Sequence, residues 1–292
     1  MQKTKLFLLL FFVSIIGLSA QEITGNVTSE SGEGVPFTNI FLRERNIGIV
    51  SDINGHYRLP LDILENVGDT LIFSSIGFDT QRFSVAEFAE KVAAGNTDIV
   101  LIANYILLPE VTVTARQPRD YGFFHLRTNI TCIGATPSLK LMVFVENTDS
   151  VVKMIQTVNV RVSMNRHDDV EKLRVFFYQK TEDGFQNINV ADEDIFITDI
   201  PRGRIRHDVS EFNIPFPAEG IYVGVEMIGK ENIVQNRSRT LGFSISSTTR
   251  ARQSRTYVLD ENENWVNVQD TDVVPRAFRR PNLNAQIGVT AR

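Results

Sequence analysis

Histidine and carboxylate residues are the first candidates for chemistry in this sequence, because together they form many zinc peptidase sites. The chain has four histidines, His56, His125, His167 and His207, and none of them is followed by a glutamate three residues later. A zinc carboxypeptidase needs a His-x-x-Glu pair and a distant third ligand around one metal. The sequence therefore predicts no metal site of this type.

Other catalytic motifs are also missing from the sequence. It contains no Gly-x-Ser-x-Gly, no P-loop and no Gly-x-Gly-x-x-Gly, which are the motifs of nucleophile elbows and of phosphate-binding loops. The single cysteine, Cys132, can form neither an internal disulfide nor a cysteine-cluster metal site. We therefore expect no catalytic residue, no cofactor and no metal.

An acidic run and a histidine–aspartate pair are two further candidate sites. Asp192, Glu193 and Asp194 could offer oxygen ligands to calcium, but they lack the ligand spacing of a calcium loop, so a solvated acidic turn is favoured. His207 and Asp208 are adjacent, and neighbours on a strand point to opposite faces, which argues against an acid–base pair.

Aromatic residues of the second half are the candidate ligand platform. β-Sandwich domains can hold carbohydrate against exposed rings, and Trp265, Tyr257 and Phe278 are the candidates for this role, together with Tyr222. Aromatic residues that alternate along strands usually fill a core instead. Both alternatives stay open at this point.

Arginines near the end of the chain are the candidate docking site for an anionic surface or an acidic glycan. These arginines are Arg276, Arg279 and Arg280. Alternatively, the charged residues simply lie on solvated strand faces that bind no partner. The whole chain carries 35 Asp and Glu residues against 30 Lys and Arg. Because nucleic-acid binding needs a concentrated basic surface, we predict no nucleic-acid partner.

The first 20 residues have the pattern of an export signal. Lys3 and Lys5 precede an apolar segment over residues 6–18, which is shorter than a membrane span, and Ala20 offers a small-residue cleavage site. A retained membrane anchor is the alternative. We predict removal of residues 1–20, no later transmembrane segment, and a mature protein that is periplasmic, associated with the outer membrane or at the cell surface.

The remaining sequence predicts an all-β fold of two sandwiches. Short β-branched and aromatic segments recur at roughly 8 to 12 residue spacing with turn residues between them. Helical spacing over 85–93, before Gly95, predicts one short helix. The polar, proline-bearing residues 116–120 are interpreted as a linker between domains over 21–115 and 121–292. The predicted strands are 23–27, 37–42, 70–73, 99–102, 111–113, 139–145, 154–162, 173–178, 195–197, 221–227, 240–245, 256–259, 265–268 and 285–289.

Three motifs follow one another in the first half of the chain. They are Ile23-Thr24-Gly25-Asn26-Val27, then Gly34-Val35-Pro36, then Asp52-Ile53-Asn54-Gly55-His56-Tyr57, and Leu108 to Ala115 closes the segment. Together they resemble the carboxypeptidase-regulatory-like domain, with its opening strand, Gly-x-Pro turn and Asp-x-x-Gly-x-Tyr hairpin. The resemblance implies a seven-stranded sandwich of the transthyretin (prealbumin) type.

The resemblance also shapes the functional expectation. In that family the domain is a non-catalytic companion, so a carboxypeptidase label would be a transfer of name alone. Residues 121–292 look like the jelly-roll-like or immunoglobulin-like sandwich that follows this domain in exported bacterial proteins of unknown activity. We expect a non-catalytic exported protein of the cell envelope that serves as an interaction or scaffold module for a protein or glycan partner. A carbohydrate-binding protein that uses the second sandwich is the alternative.

Overall fold

The structure is a computed structural model. It describes residues 22–45, 47–107, 117–124, 131–135, 139–165, 170–181, 184–189, 194–230, 235–236, 241–247, 253–260, 263–271 and 282–292.

The first half forms two facing sheets and one helix. Sheet I has the strand order β4-β1-β7, and sheet II has the order β3-β2-β5-β6. These are the seven strands of a transthyretin-like sandwich, so the expected fold of the first half is confirmed. The elements are β1 (Glu22–Ser29), β2 (Asn39–Leu42), β3 (Ile47–Val50), β4 (His56–Pro60), a 3₁₀ turn (Leu61–Glu65), β5 (Thr70–Ser74), β6 (Gln81–Ser84), α1 (Val85–Ala93) and β7 (Ile99–Leu101).

The hairpin motif before β4 folds as its residues predict. The Asp52 side chain accepts hydrogen bonds from the backbone N–H groups of Asn54 and His56, and Gly55 takes a positive φ of 82° that favours glycine. Tyr57 and Leu59 then alternate onto the buried face of β4. The turn therefore sets which residues of β4 enter the core.

Helix α1 spans the predicted residues, 85–93. Ser84 and Glu87 form a capping box, in which the Ser84 hydroxyl accepts from the Glu87 N–H and the Glu87 carboxylate accepts from the Ser84 N–H. Val85 and Phe88 are buried against the core of the first sandwich. The helix begins at a strong local signal and is held by one apolar face.

The second half forms two larger sheets that face each other. Sheet III has the order β10-β20-β12-β24-β9, with β16 and β17 paired to β12 and β23 paired to β20. Sheet IV has the order β22-β21-β11-β18-β13-β14-β8, with β15 paired to β13. The strands are β8 (Tyr105–Leu107), β9 (Arg119–Gly122), β10 (Thr131–Ala135), β11 (Lys140–Val145), β12 (Lys153–Asn165), β13 (Val170–Thr181), β14 (Gly184–Asn189), β15 (Ile195–Ile197), β16 (Gly203–Asp208), β17 (Pro215–Phe216), β18 (Ile221–Gly229), β19 (Gln235–Asn236), β20 (Leu241–Ser247), β21 (Thr256–Leu259), β22 (Trp265–Asn267), β23 (Leu283–Ala285) and β24 (Ile287–Ala291).

The predicted strands that lie in the described residues overlap strands of the structure, but the sequence patterns did not predict several others, among them β3, β6, β14 and β16, and part of the predicted linker is a strand. Arg119 and Asp120, assigned to the linker, lie in β9, which pairs with β24. The pairing is reinforced by side chains, because Asp120 accepts two hydrogen bonds from Arg206 on β16. Arg116 of the linker, the strand expected over 111–113 and the signal over 1–20 lie outside the described residues.

The two halves exchange short strands. Strand β8 follows the first sandwich in the chain, yet it pairs in parallel with β14 of sheet IV. Strand β19 lies far along the second half, yet it pairs with β3 at the edge of sheet II. Each half thus extends a sheet of the other.

Each half has its own apolar core. One core lies between sheets I and II and includes Tyr57, Phe73 and Phe88, while the other lies between sheets III and IV and includes Val160 and Val223. Strand β18 is buried at every position. Its inner face packs on the second core, so other parts of the molecule must cover its outer face. No described helix is long and apolar enough to cross a membrane.

Candidate functional site

The outer face of sheet IV, which points away from the core of the second sandwich, carries both charged residues and aromatic rings. Strand β13 points Leu173 and Val175 into the core and Arg174 and Phe176 outward. At one end of this face lie charged residues that the first sandwich covers. At the other end lie aromatic rings that are partly open to solvent.

The charged end is an ionic cluster of four residues, Arg174, Glu226, Lys140 and Asp194. Arg174 and Glu226 face each other in the register of β13 and β18, and Arg174 Nη1 donates to Glu226 Oε2 at 2.9 Å. Lys140 Nζ lies 3.6 Å from Glu226 Oε1, and Arg174 Nη2 lies 3.2 Å from Asp194 Oδ2. Arg174 is 1% exposed and Glu226 is 0% exposed, so this pair is removed from water.

Hydrogen bonds tie the ionic cluster to the first sandwich, and two of them involve Glu226 and Lys140. Asn39 on β2 donates through Nδ2 to Glu226 Oε1 at 2.8 Å, and Lys140 Nζ donates to the Ser74 hydroxyl on β5 at 2.9 Å. The side chains of Asn39, Glu226, Lys140 and Ser74 are all buried. Because a buried charge without partners is very costly, the first sandwich supplies part of what makes the cluster tolerable.

Arg174 reaches furthest into the first sandwich. Its Nη2 donates to the Pro36 carbonyl oxygen at 2.8 Å, and its Nη1 donates to the Ser75 hydroxyl at 3.2 Å. Burial lowers the pKa of Arg174, but the charges of Asp194 and Glu226 more than offset that effect, and the pKa is raised overall. The guanidinium group therefore stays charged inside the interface.

A cation–aromatic contact lies beside the ionic cluster. Lys172 Nζ lies 3.5 Å from the centre of the Phe37 ring and 5.0 Å from that of Phe196, and the two rings meet edge to face at 5.1 Å. Phe37 has a positive φ of 51°, a conformation that few non-glycine residues adopt. The Gly-x-Pro motif region thus turns its carbonyl and its next side chain toward the second sandwich.

The other end of the face is an aromatic patch of seven rings. Its residues pack at centroid distances of about 5 to 6.5 Å with strongly inclined planes, which is the usual geometry for aromatic pairs. The aromatic patch consists of Phe144, Phe176, Tyr178, Phe185, Tyr222, Tyr257 and Trp265.

Three of the candidate platform residues, Trp265, Tyr257 and Tyr222, belong to the aromatic patch. Phe185 lies between two of them, 5.5 Å from the Tyr257 ring and 6.5 Å from the Trp265 ring. Trp265, Tyr257 and Phe185 are half-buried. Tyr222 is 8% exposed, and burial raises the pKa of its hydroxyl to about 12. The half-buried rings of Trp265, Tyr257 and Phe185 leave apolar surface available to a ligand, while the buried Tyr222 mainly packs against the other rings.

Gly224 makes room for the inner part of the aromatic patch. It lies opposite Phe176 in the register of β13 and β18, and a Cβ at this position would approach the Phe176 ring to 2.2 Å. The Phe176 ring can therefore lie across β18 and reach Trp265, at a centroid distance of 5.9 Å. Ile76 of the first sandwich packs on the same cluster.

Four of the predicted site residues belong to a part of the chain that the structure does not describe. Phe278, Arg276, Arg279 and Arg280 lie outside the described residues. Among the residues that the structure describes, no group of three or more His, Cys, Asp or Glu side chains is arranged to hold a metal ion.

One of the three acidic residues Asp192, Glu193 and Asp194 is described. Asp194 is exposed and forms an ion pair with the buried Arg174. It directly precedes β15, which pairs with β13 beside that arginine. Asp192 and Glu193 lie outside the described residues.

The sequence reasoning missed Arg174, Glu226 and Lys140. A signal was present, because Arg174 and Glu226 each interrupt a run of β-branched and aromatic residues at a position where the outward face of a strand would need a partner. Such a charge could equally face solvent. The sequence alone offers no way to tell the two cases apart.

The comparison with protein families concerns the first sandwich. Its Gly-x-Pro turn and Asp-x-x-Gly-x-Tyr hairpin sit where the seven-stranded fold needs them. Residues 23–113 match the CarboxypepD_reg-like domain. The matched family describes a regulatory-like domain and not a peptidase domain, and the match covers the sandwich whose residues contact the ionic cluster. A comparison of the sequence with curated proteins finds no match.

Proposed function

We propose that this protein is an exported, non-catalytic component of the bacterial cell envelope, in which the CarboxypepD_reg-like domain and the second sandwich act together as one interaction scaffold. The observation that carries the proposal is the buried ionic cluster between the two halves. Arg174 and Glu226 belong to the second sandwich, yet Asn39 donates a hydrogen bond to Glu226, and Ser75 and Pro36 accept hydrogen bonds from Arg174. A contact of this kind favours one relative placement of the two domains.

A fixed placement suits a scaffold more than a hinged enzyme. The interface combines buried polar groups, apolar side chains and two exchanged strands. Arg82 of the first sandwich and Glu263 of the second half also form an ion pair at 2.7 Å. Domains that move to open a site usually share smaller and wetter contacts. The export signal predicted over residues 1–20 supports placement outside the cytoplasm.

Capture from envelope extracts tests this proposal. The mature chain, residues 21–292, is immobilised and exposed to solubilised envelope of the native bacterium, and bound proteins and glycans are identified. We expect a defined partner that is retained by the folded bait and lost with heat-unfolded bait. Metal-dependent peptidase activity that disappears on His56→Ala or His207→Ala would overturn the proposal.

A carbohydrate-binding function is the second proposal, and the aromatic patch favours it. Trp265, Tyr257 and Phe185 offer half-buried rings on one face, and a sugar ring could stack on the outermost of them. Because the chain has a single tryptophan, Trp265 fluorescence reports directly on this surface.

Glycan ligands can be identified on a glycan array, and their affinities for the wild type and each variant can be measured by calorimetric titration. Trp265 fluorescence gives a second measurement for the proteins that keep the tryptophan. We expect binding by the wild-type protein and at least a tenfold loss in Trp265→Leu. Phe78→Leu, which removes a partly buried ring of the first sandwich, is the matched control and should bind normally. Equal binding by Trp265→Leu and the wild type would refute a role for the aromatic patch.

A further inference from the structure

The outer face of sheet III carries three arginines, Arg161, Arg204 and Arg206. Arg161 on β12 lies directly opposite Arg204 on β16, and Arg206 follows two residues further along β16. Their neighbours Val160 and Ile205 point into the core. Because directly paired residues of antiparallel strands project to the same side, the three arginines share the outer face.

The arginines differ in how their charge is balanced. Arg206 donates two hydrogen bonds to Asp120, at 3.0 and 2.6 Å, and so has a carboxylate partner. Arg161 donates at 3.2 Å to the neutral amide oxygen of Gln286. Within the described part of the chain, no carboxylate lies in ion-pair range of Arg161 or Arg204. Like charges placed directly opposite each other on neighbouring strands are destabilising.

A buried ring orders two of the guanidinium groups. The guanidinium carbons of Arg204 and Arg206 lie 5.7 and 5.1 Å from the centre of the Phe124 ring, and Phe124 is only 2% exposed. Arginines that stack on an aromatic ring lose little further freedom when they bind an anion. Phe124 therefore restricts the motion of Arg204, which lies opposite Arg161, while Arg206 is already paired with Asp120.

We propose that Arg161 and Arg204 bind a phosphate or sulfate group between them. A tetrahedral dianion presents several oxygens to two planar donor groups, matches their combined charge and removes the repulsion across the strand pair. The same group could be the free inorganic ion or an ester on an envelope polymer. This site is separate from the aromatic patch, and it does not depend on the scaffold proposal.

Calorimetric titration of the mature protein with inorganic sulfate and phosphate at low ionic strength tests the proposal, with chloride at equal ionic strength as the reference. We expect saturable binding by the wild type and at least a tenfold weaker affinity in Arg161→Gln and in Arg204→Gln. Arg45→Gln, at an exposed turn of the first domain, makes the same charge change elsewhere and should leave the affinity unchanged. Absence of saturable binding, or an equal loss in Arg45→Gln, overturns the proposal.

A melting experiment keeps the proposal testable if a variant is unstable. Sulfate should raise the melting temperature of the wild type more than chloride does at equal ionic strength, and this difference should disappear in Arg204→Gln. Dextran sulfate and neutral dextran then distinguish the sources, because tighter binding of the sulfated polymer than of free sulfate indicates a polymer ester. Binding of polyglutamate without any response to sulfate or phosphate would contradict the proposal.

Discussion

Arg174 and Glu226 show how two residues can make the packing of two domains specific. Their side chains leave water completely, and the groups that receive them come from both sandwiches. Replacing a buried ion pair by apolar residues is often harmless, whereas removing one partner leaves an uncompensated charge. The cluster therefore acts chiefly through the penalty for separating its members.

Glu226→Gln removes one charge without changing the shape of the side chain. It leaves Asp194 as the acidic partner of Arg174 and leaves Lys140 with the Ser74 hydroxyl, so we expect a loss of about 3 kcal/mol in the free energy of unfolding. Urea denaturation measures this value. Glu219→Gln, at an exposed position, should change it by less than about 0.5 kcal/mol. Equal values for the two variants would show that the cluster contributes nothing to stability.

Gly224→Ala tests the aromatic patch at the scale of one methyl group. The added Cβ meets the Phe176 ring, so that ring must shift, and we expect a destabilisation of about 1 to 3 kcal/mol. The fluorescence of Trp265 should change as well, because its ring contacts Phe176. Gly68→Ala adds a methyl group with no atom within 4 Å and is the matched control. An unchanged spectrum in Gly224→Ala would contradict this packing.

Elements of the first domain follow local signals, and α1 is the clearest case. Ser84 begins the helix, Glu87 completes the capping box, and apolar residues lie on one face. In contrast, β18 reads in the sequence as a strand with one apolar face, but the structure buries both faces. Local patterns predict that an element exists, whereas its second face depends on what packs there.

Ser84→Ala removes the capping hydroxyl of α1. One N–H at the start of the helix then loses its partner, and we expect a cost of about 1 kcal/mol in the free energy of unfolding. Thermal or urea denaturation measures it. Ser84→Asp keeps a capping oxygen and should recover most of the loss. If Ser84→Asp is as unstable as Ser84→Ala, the cap is not the cause.

Strand exchange and the buried interface make the whole molecule more than two tethered domains. Strand β8 extends sheet IV, strand β19 extends sheet II, and the ionic cluster lies between the halves. Unfolding one sandwich would expose Arg174 and Glu226 and would remove a strand from the other. The free energies of unfolding of the two domains should therefore be coupled.

A single calorimetric transition is the expected result for the mature chain, with equal calorimetric and van't Hoff enthalpies. Asn39→Ala, which removes the hydrogen bond to Glu226, should lower the midpoint and broaden or split the transition. Asn66→Ala, in a turn of the first domain away from the interface, is the control and should keep one sharp transition. Two well-separated transitions in the wild type would disprove the coupling.

By itself, the amino-acid sequence determined the all-β class, the transthyretin-like first domain and the helix over 85–93, and it named Trp265 and Tyr257 as candidate platform residues. These depend on periodicity, turn residues and motifs that are local in the chain. Only the tertiary structure decided that Arg174, Glu226 and Lys140 are buried together, that Phe185 joins the two predicted platform rings, and that Arg161 faces Arg204. Those placements depend on strand register and domain packing, which bring together residues far apart in sequence, and a charged residue on a strand reads the same whether water or another domain covers it.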